Sequence, residues 1–200
     1  ALTRKILDAV PQRKEIVRRV GELLGAKTVS RNDLRYRGGV AFALKTAPPK
    51  NQPALVVIPA TLDADQERVV LDPTVLDPSG RTTIDFYTPS FDGKYVALSL
   101  SKGGSEDGTA YVYEVATGKR LPDIVPRVMY PTAGGSIEWA ADSKGFYYTR
   151  YPGDDERPEA DRHFYQAVWF HRLGTPIAAD AYVIGREFPR IAEIELAGSK

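Results

Sequence analysis

Ser90-Phe91-Asp92-Gly93-Lys94-Tyr95-Val96-Ala97-Leu98 decides the reading, because Trp139-Ala140-Ala141-Asp142-Ser143-Lys144-Gly145-Phe146-Tyr147-Tyr148 says nearly the same thing again. Each stretch is an acidic turn, then a lysine or glycine, then an aromatic-rich strand. Asp92 and Asp142 stand 50 residues apart. A repeat of about 40–50 residues built from short strands marks a β-propeller blade. A blade buries its faces only against neighbouring blades, so the chain reads as part of something larger.

Outward from the repeat, turn signals cut the chain into short strands. Strands are expected at 34–36 and 40–45 around the Gly38-Gly39 pair, at 54–59, and at 67–71 ending on Asp72-Pro73. After the cluster Leu76-Asp77-Pro78-Ser79-Gly80 come 82–87, 95–101, 110–116 and a short Arg120-Leu121. Beyond Pro126 come 136–139, 145–150, 167–173, 181–184 and 191–196. A four-stranded meander per repeat fits this order. A two-sheet sandwich, also built from short strands, is the alternative, disfavoured because sandwiches do not repeat their sequence.

The N-terminus has a different period. Leu2, Ile6, Leu7, Val10, Ile16, Val17, Val20, Leu23 and Leu24 recur at helical steps, giving a helix over 2–24 that Pro11 kinks or splits and Gly25 stops. Its other face carries Arg4, Lys5, Arg13, Lys14 and Arg18, read as a solvated face. The expected organisation is a helical segment over 1–29 and an incomplete propeller over 30–200. The latter amounts to roughly three and a half blades at about 50 residues each, whereas propellers close with about 4–8. Open sheet edges invite pairing, so self-association is expected.

Hydrophobic residues make up 42% and charged residues 26% of the 200-residue chain, a globular rather than a disordered balance. Lys plus Arg total 27 against 26 Asp plus Glu, and the resulting net charge of +1 gives no nucleic-acid or membrane signal. No apolar run approaches the roughly 18 residues of a spanning helix. The absence of cysteine removes disulfides and thiolate chemistry and is compatible with a cytoplasmic or a periplasmic location. The chain opens on Ala1 without a basic-then-apolar leader, so a trimmed start is expected.

Motifs with chemistry are sparse. A serine nucleophile on a strand-turn-helix elbow reads G-x-S-x-G. Gly103-Gly104-Ser105-Glu106-Asp107 and Gly134-Gly135-Ser136-Ile137-Glu138 both end in an acid where the second glycine belongs, and neither leads into a helix. Both read as loops between strands. The two histidines are His163 and His171; the latter sits in Val168-Trp169-Phe170-His171-Arg172-Leu173, a strand, facing solvent or a neighbouring strand. No nucleophile, base and orienting acid stand together, and two histidines without cysteine make no zinc site. Asp63 with Asp65, and Asp154 and Asp155 with Glu156, lack the turn glycine and ligand count of a calcium loop. No glycine-rich phosphate cradle is present. Neither a metal nor a cofactor is expected.

One series of strings is more informative. Val70-Leu71-Asp72-Pro73 with Leu76 is followed by Ser90-Phe91-Asp92-Gly93-Lys94-Tyr95, then Ser99-Leu100-Ser101 with Gly103-Gly104-Ser105, then Leu121-Pro122-Asp123 with Arg127-Val128. Next come Trp139 with Asp142, Lys144-Gly145-Phe146-Tyr147-Tyr148, Tyr151-Pro152, and His171-Arg172-Leu173-Gly174-Thr175. In this order and spacing, the segment 69–196 resembles the N-terminal propeller of the prolyl oligopeptidase family of serine peptidases. The helix at 2–24 and the stretch 34–55 resemble the family's approach to that propeller, less specifically.

The resemblance implies a mainly β fold: an arc of three to four four-stranded blades from a seven-bladed propeller, preceded by a helix. It implies that the propeller gates an active site on an α/β-hydrolase domain, admitting short peptides. The catalytic serine, aspartate and histidine would lie C-terminal to the region this chain covers, so no catalytic residue is assigned, and no hydrolysis of proline-containing peptides is expected of the chain alone. The implied partners are the chain's own C-terminal hydrolase domain and short peptide substrates.

One substrate-binding residue carries over. In the family an aromatic shortly after the Arg-Val that follows Leu-Pro-Asp reaches the substrate pocket, and the matching position is Tyr130. A tyrosine offers a peptide a broad apolar face and a hydroxyl; a core tyrosine is the alternative. Where many members follow Gly-Ser with Asp and a tryptophan, this chain has Glu106-Asp107-Gly108, so interdomain contacts there are expected to differ. Two other readings stay open: a stand-alone propeller that binds a peptide or protein without chemistry, and a structural fragment assembled with copies of itself.

Overall fold

The computed structural model describes residues 2–25, 28–61, 63–129 and 131–198. Three four-stranded antiparallel meanders follow one another along the chain. The first holds β1 (Ser30–Arg37), β2 (Val40–Thr46), β3 (Ala54–Pro59) and β4 (Arg68–Leu71). The second holds β5 (Thr82–Pro89), β6 (Tyr95–Lys102), β7 (Thr109–Glu114) and β8 (Arg120–Pro126). The third holds β9 (Ile137–Trp139), β10 (Gly145–Arg150), β11 (Ala167–Arg172) and β12 (Ala181–Ile184). These are blades of a propeller arc, and a sandwich is excluded by how the sheets stack.

The decisive evidence is the middle blade. Side chains alternate across a strand, and here both faces are buried. Val96 and Leu98 of β6 join a cluster with Phe42, Leu55, Val57 and Val70 of the first blade. Ala97 between them joins a cluster with Ile137, Trp139, Phe146 and Tyr148 of the third. The outward faces of the end blades stay open, with Leu34, Tyr36 and Val69 exposed on one and Tyr147, Val183 and Ile184 on the other.

The repeated turns are superimposable in their bonding. In both, the aspartate carboxylate accepts the backbone N–H two residues on, from Lys94 to Asp92 at 3.1 Å and from Lys144 to Asp142 at 3.0 Å. The position after each aspartate is left-handed, Gly93 at φ 70° and Ser143 at φ 57°. The turns also touch, since the Asp92 N–H donates to Ser143 Oγ at 3.3 Å. On the other side, Gly38 of the β1–β2 turn lies so close to Asp92 and Gly93 that a Cβ there would overlap their backbone. The corresponding turns of three consecutive blades therefore nest in a row.

Polar pins cross each seam. Trp139 Nε1–H donates to the Thr88 carbonyl at 2.8 Å, and Thr88 Oγ1–H donates to the Ile137 carbonyl at 3.2 Å. His171 is buried rather than solvent-facing, with Nε2 2.9 Å from Asp123 of β8 and Nδ1 2.7 Å from Asp180. Tyr148 donates its hydroxyl to the same Asp180 at 2.8 Å. Between the first two blades, Arg68 donates to the Val115 carbonyl at 2.5 Å, and Tyr87 donates to the Asp33 carbonyl.

Two expectations gain detail and one, the last strand, is overturned. The helix over 2–24 is two helices, α1 (Leu2–Asp8) and α2 (Arg13–Leu24), split around Pro11 as its missing donor demands. Neither contains a buried residue, so the apolar stripe is as exposed as the basic one. The Asp72-Pro73 stop is the start of a short helix, α3 (Pro73–Leu76): Asp72 caps it by accepting the Thr74 N–H at 3.0 Å, with proline in the first turn. Residues 191–196 form no strand. Their backbone donors are taken by side chains instead, Ile194 N–H by Gln166 Oε1 at 2.7 Å and Leu196 N–H by Ser136 Oγ at 3.0 Å.

Trp139→Ala should lower the unfolding free energy in a urea titration by about 3–5 kcal/mol, because it empties the second seam. Trp139→Phe, which keeps most of the volume but strands the Thr88 carbonyl, should cost about 1–3 kcal/mol. Equal, small effects would show that the seam does not hold the arc together.

Candidate functional site

In a meander, alternate connections fall at opposite ends of the blade. The β6–β7 loop, the β8–β9 segment and the β10–β11 loop share one end, away from the nested turns. They surround a depression of about 460 Å³ lined by Ser105, Glu106, Asp107, Met129, Ala133, Tyr151 and His163. A neighbouring cavity of about 580 Å³ is lined by Arg35, Phe86, Thr88, Ile137 and Glu138 of the first strands, by Pro131, and by residues 193–196. Tyr130, the expected substrate contact, lies outside the described residues; its flanks Met129 and Pro131 line one cavity each.

The segment around position 130 is held from both sides. Val128 and Met129 are buried. The Val128 carbonyl accepts from Ser99 Oγ at 2.9 Å. The Gly134 carbonyl accepts from Thr149 Oγ1 at 2.8 Å and from Gln166 Nε2 at 2.6 Å. Gly135 is required, since a Cβ there would collide with the Met129 carbonyl. Arg127 has a left-handed backbone, φ 61°, and its guanidinium donates to the Arg162 carbonyl at 2.6 Å. That bond ties the segment to the β10–β11 loop.

Beneath it lies a buried acid that sequence reading missed. Asp85 accepts from Ser101 Oγ at 2.5 Å and stands 3.0 Å from Ser99 Oγ. Ser99 has one proton and two acceptors to serve, Asp85 and the Val128 carbonyl. Burial pushes the Asp85 carboxyl up from its ordinary value, and the two serine hydroxyls oppose that only in part. The only signal in the sequence is the serine pair at 99 and 101, whose spacing puts both hydroxyls on one strand face. Glu138, in the larger cavity, is also pushed up by burial, against Arg37 and Arg35.

The near-miss serines each accept a backbone N–H. Ser105 Oγ accepts the Asp107 N–H at 3.1 Å, and Ser136 Oγ accepts from Leu196. Ser105 and His163 line the same depression, but no hydrogen bond joins them among the described residues. His163 sits edge-on to Tyr151, ring centroids 6.4 Å apart. His171 is committed to its two aspartates at the seam. No cluster of three metal-ligating side chains occurs among the described residues.

The sequence matches the family described as prolyl oligopeptidase, N-terminal β-propeller domain, over residues 1–199. The chain belongs to this family. It is 34% identical over 131 residues to prolyl oligopeptidase A of Amanita bisporigera, covering 56% of this chain and 16% of that protein. Its fold is similar to that of a solved prolyl endopeptidase with a TM-score of 0.73 and 28% identity, over 92% of this chain and 26% of the other. It is also similar to prolyl oligopeptidase B from Galerina marginata, solved with a 35mer hydrolysis and macrocyclization substrate, with a TM-score of 0.70 and 22% identity, over 94% and 28% of the two chains. The chain thus spans under a fifth of the length of that curated relative.

For this prolyl oligopeptidase-type propeller, Asp85 sets a pH signature. Its carboxyl is raised in the folded state, so its contribution is full below its ordinary value of 3.8 and is lost as pH rises through the raised one. Asp85→Asn carries no such charge. The melting temperature of the variant relative to the parent should therefore rise between about pH 4 and pH 8. Thermal unfolding at the two pH values checks this, and a difference that falls with pH refutes it.

Proposed function

We propose that this chain is the peptide-facing part of a prolyl oligopeptidase-type serine peptidase: its propeller gates access of short peptides to an active site on an α/β-hydrolase domain carried outside these 200 residues. Residues 1–29 form the helical lead-in and 30–200 the propeller arc. The observation that carries this reading is the anchored loop end of the second and third blades. There the segment is fixed at Val128, Met129, Gly134 and Gly135, and the flanks of position 130, Met129 and Pro131, line one cavity each. Tyr130 is the residue assigned to substrate, through its apolar ring and its hydroxyl. The relative solved with a 35mer substrate supports peptides as the ligand class.

The test has two arms. The chain alone should leave a fluorogenic proline-containing peptide uncleaved; turnover abolished by a serine-directed inhibitor would overturn the assignment. In the longer protein, Tyr130→Ala should raise KM for a short proline peptide by roughly tenfold, as for loss of one well-packed aromatic contact, with kcat changed much less. An unchanged KM would return Tyr130 to a purely structural role.

A further inference from the structure

The β10–β11 loop borders a second cleft. Arg150 and Tyr151 are consecutive, so their side chains leave the chain on opposite faces. Tyr151 lines the depression described above, whereas Arg150 lines a cleft of about 320 Å³ with Glu156, Arg157, Tyr165, Trp169 and Arg186. Three guanidinium groups face one carboxylate here.

The arginines are arranged on aromatic rings. Arg150 lies over Trp169 at 4.4 Å, Arg157 over Tyr165 at 4.0 Å, and Arg186 over Tyr182 at 4.0 Å and Trp169 at 5.8 Å. Tyr182 packs edge-on against Trp169, and its hydroxyl accepts the Arg186 N–H at 2.9 Å, which fixes where Arg186 starts. A guanidinium laid flat on a ring keeps its N–H edge free for a planar acceptor. Glu156 already shows the mode: Arg150 holds it with two bonds of 2.7 and 2.8 Å. That pairing draws the Glu156 carboxyl down to about 2, with the Gly153 N–H and Arg186 adding to it against burial.

Both terminal nitrogens of Arg150 are taken by Glu156. Among the described residues, neither Arg157 nor Arg186 has an ion pair. Of the nearby acids, Asp154 faces Arg162 at 3.3 Å, Asp161 holds Arg190 at 2.8 Å and Glu187 takes the Tyr182 hydroxyl at 3.2 Å, while Asp155 and Glu159 pair with neither cation among the described residues. Two oriented cations with aromatic walls are thus left facing an open cleft.

We propose that this cleft is a binding site for a carboxylate-bearing peptide segment, with Arg157 and Arg186 taking the carboxylate and Trp169 and Tyr165 covering the adjoining apolar part of the peptide. The cleft volume matches an acidic side chain and its neighbour rather than a bare ion. The site is independent of the peptidase reading, because it needs no hydrolase domain.

Titration of the chain with a blocked tetraglutamate peptide at a fixed ionic strength of about 0.15 M, followed by tryptophan emission, tests this. Trp139 is buried in the seam, so a change in emission reports Trp169. A saturable change is expected with the glutamate peptide and none with its glutamine counterpart. Arg157→Gln and Arg186→Gln, at two exposed side chains, should each weaken binding by roughly tenfold, as for loss of a charge-assisted bidentate contact. Arg186→Lys should fall between the parent and Arg186→Gln. The absence of saturation, an equal response to glutamine, or affinity unchanged in both Gln variants would overturn the site. Circular dichroism and the melting temperature of each variant separate loss of binding from loss of fold.

Discussion

Thr88 is bonded twice across the seam between the second and third blades, giving its carbonyl to the Trp139 indole and its hydroxyl proton to the Ile137 carbonyl. Both partners lie in the first strand of the next blade, so the two bonds set the register of one sheet against another. Among the described residues no backbone ladder joins one blade to the next; packing and a few side-chain bonds must do what a ladder does within a sheet. The seam succeeds because the middle blade is apolar on both faces and because its polar crossings are satisfied where water is excluded. His171 between Asp123 and Asp180 repeats the device further out on the blade.

A seam fixed in this way dictates what each end of the blades can do. At one end the nested turns bring Gly38, Gly93 and Ser143 too close for larger substituents or inserted loops. At the other, connections run to different lengths, and side chains converge on the carbonyls of Val128 and Gly134. The two cavities adjoin this anchored segment, one at Met129 and the other at Gly134. Asp85 belongs to the same logic: a buried acid under the loops is tolerable because it meets two hydroxyls.

The arc of blades was legible in the sequence because the turn chemistry recurs. An aspartate that accepts the N–H two residues on leaves the same mark at Asp92 and Asp142, and the aromatic strands after each are long enough to show the period. The first blade was harder to see as a member, since its turn is Gly38-Gly39 without an aspartate, and only contact with Asp92 and Gly93 reveals the equivalence. Residues 191–196 alternate like a strand, yet Gln166 and Ser136 side chains take their donors, a capture that no local pattern announces. The helices were legible as helices, but a helical stripe of Ile16, Val17, Val20 and Leu24 reads as a core-facing stripe whether or not a core covers it. The Ser99–Asp85 contact and the arginine cleft were invisible for another reason: both join residues separated by a strand or a loop, and only the folded sheet makes them neighbours.

The pleat accounts for why one loop can border two unlike cavities. Arg150 ends β10 and Tyr151 follows it, so the alternation that points Phe146 and Tyr148 into the seam carries Arg150 to their side of the sheet and Tyr151 to the other. Tyr151 enters the depression beside Met129 and His163, and Arg150 lies over Trp169, itself packed against the seam cluster. Trp169 and Tyr182, opposite one another in β11 and β12, are partly buried at the margin of that cluster and are covered by guanidinium groups instead of by aliphatic side chains. A cation can cover a ring and still present charge outward, whereas an aliphatic cover would leave a merely greasy edge. The chemical character of this surface thus follows from strand alternation carrying aromatic rings to the margin of an interblade seam.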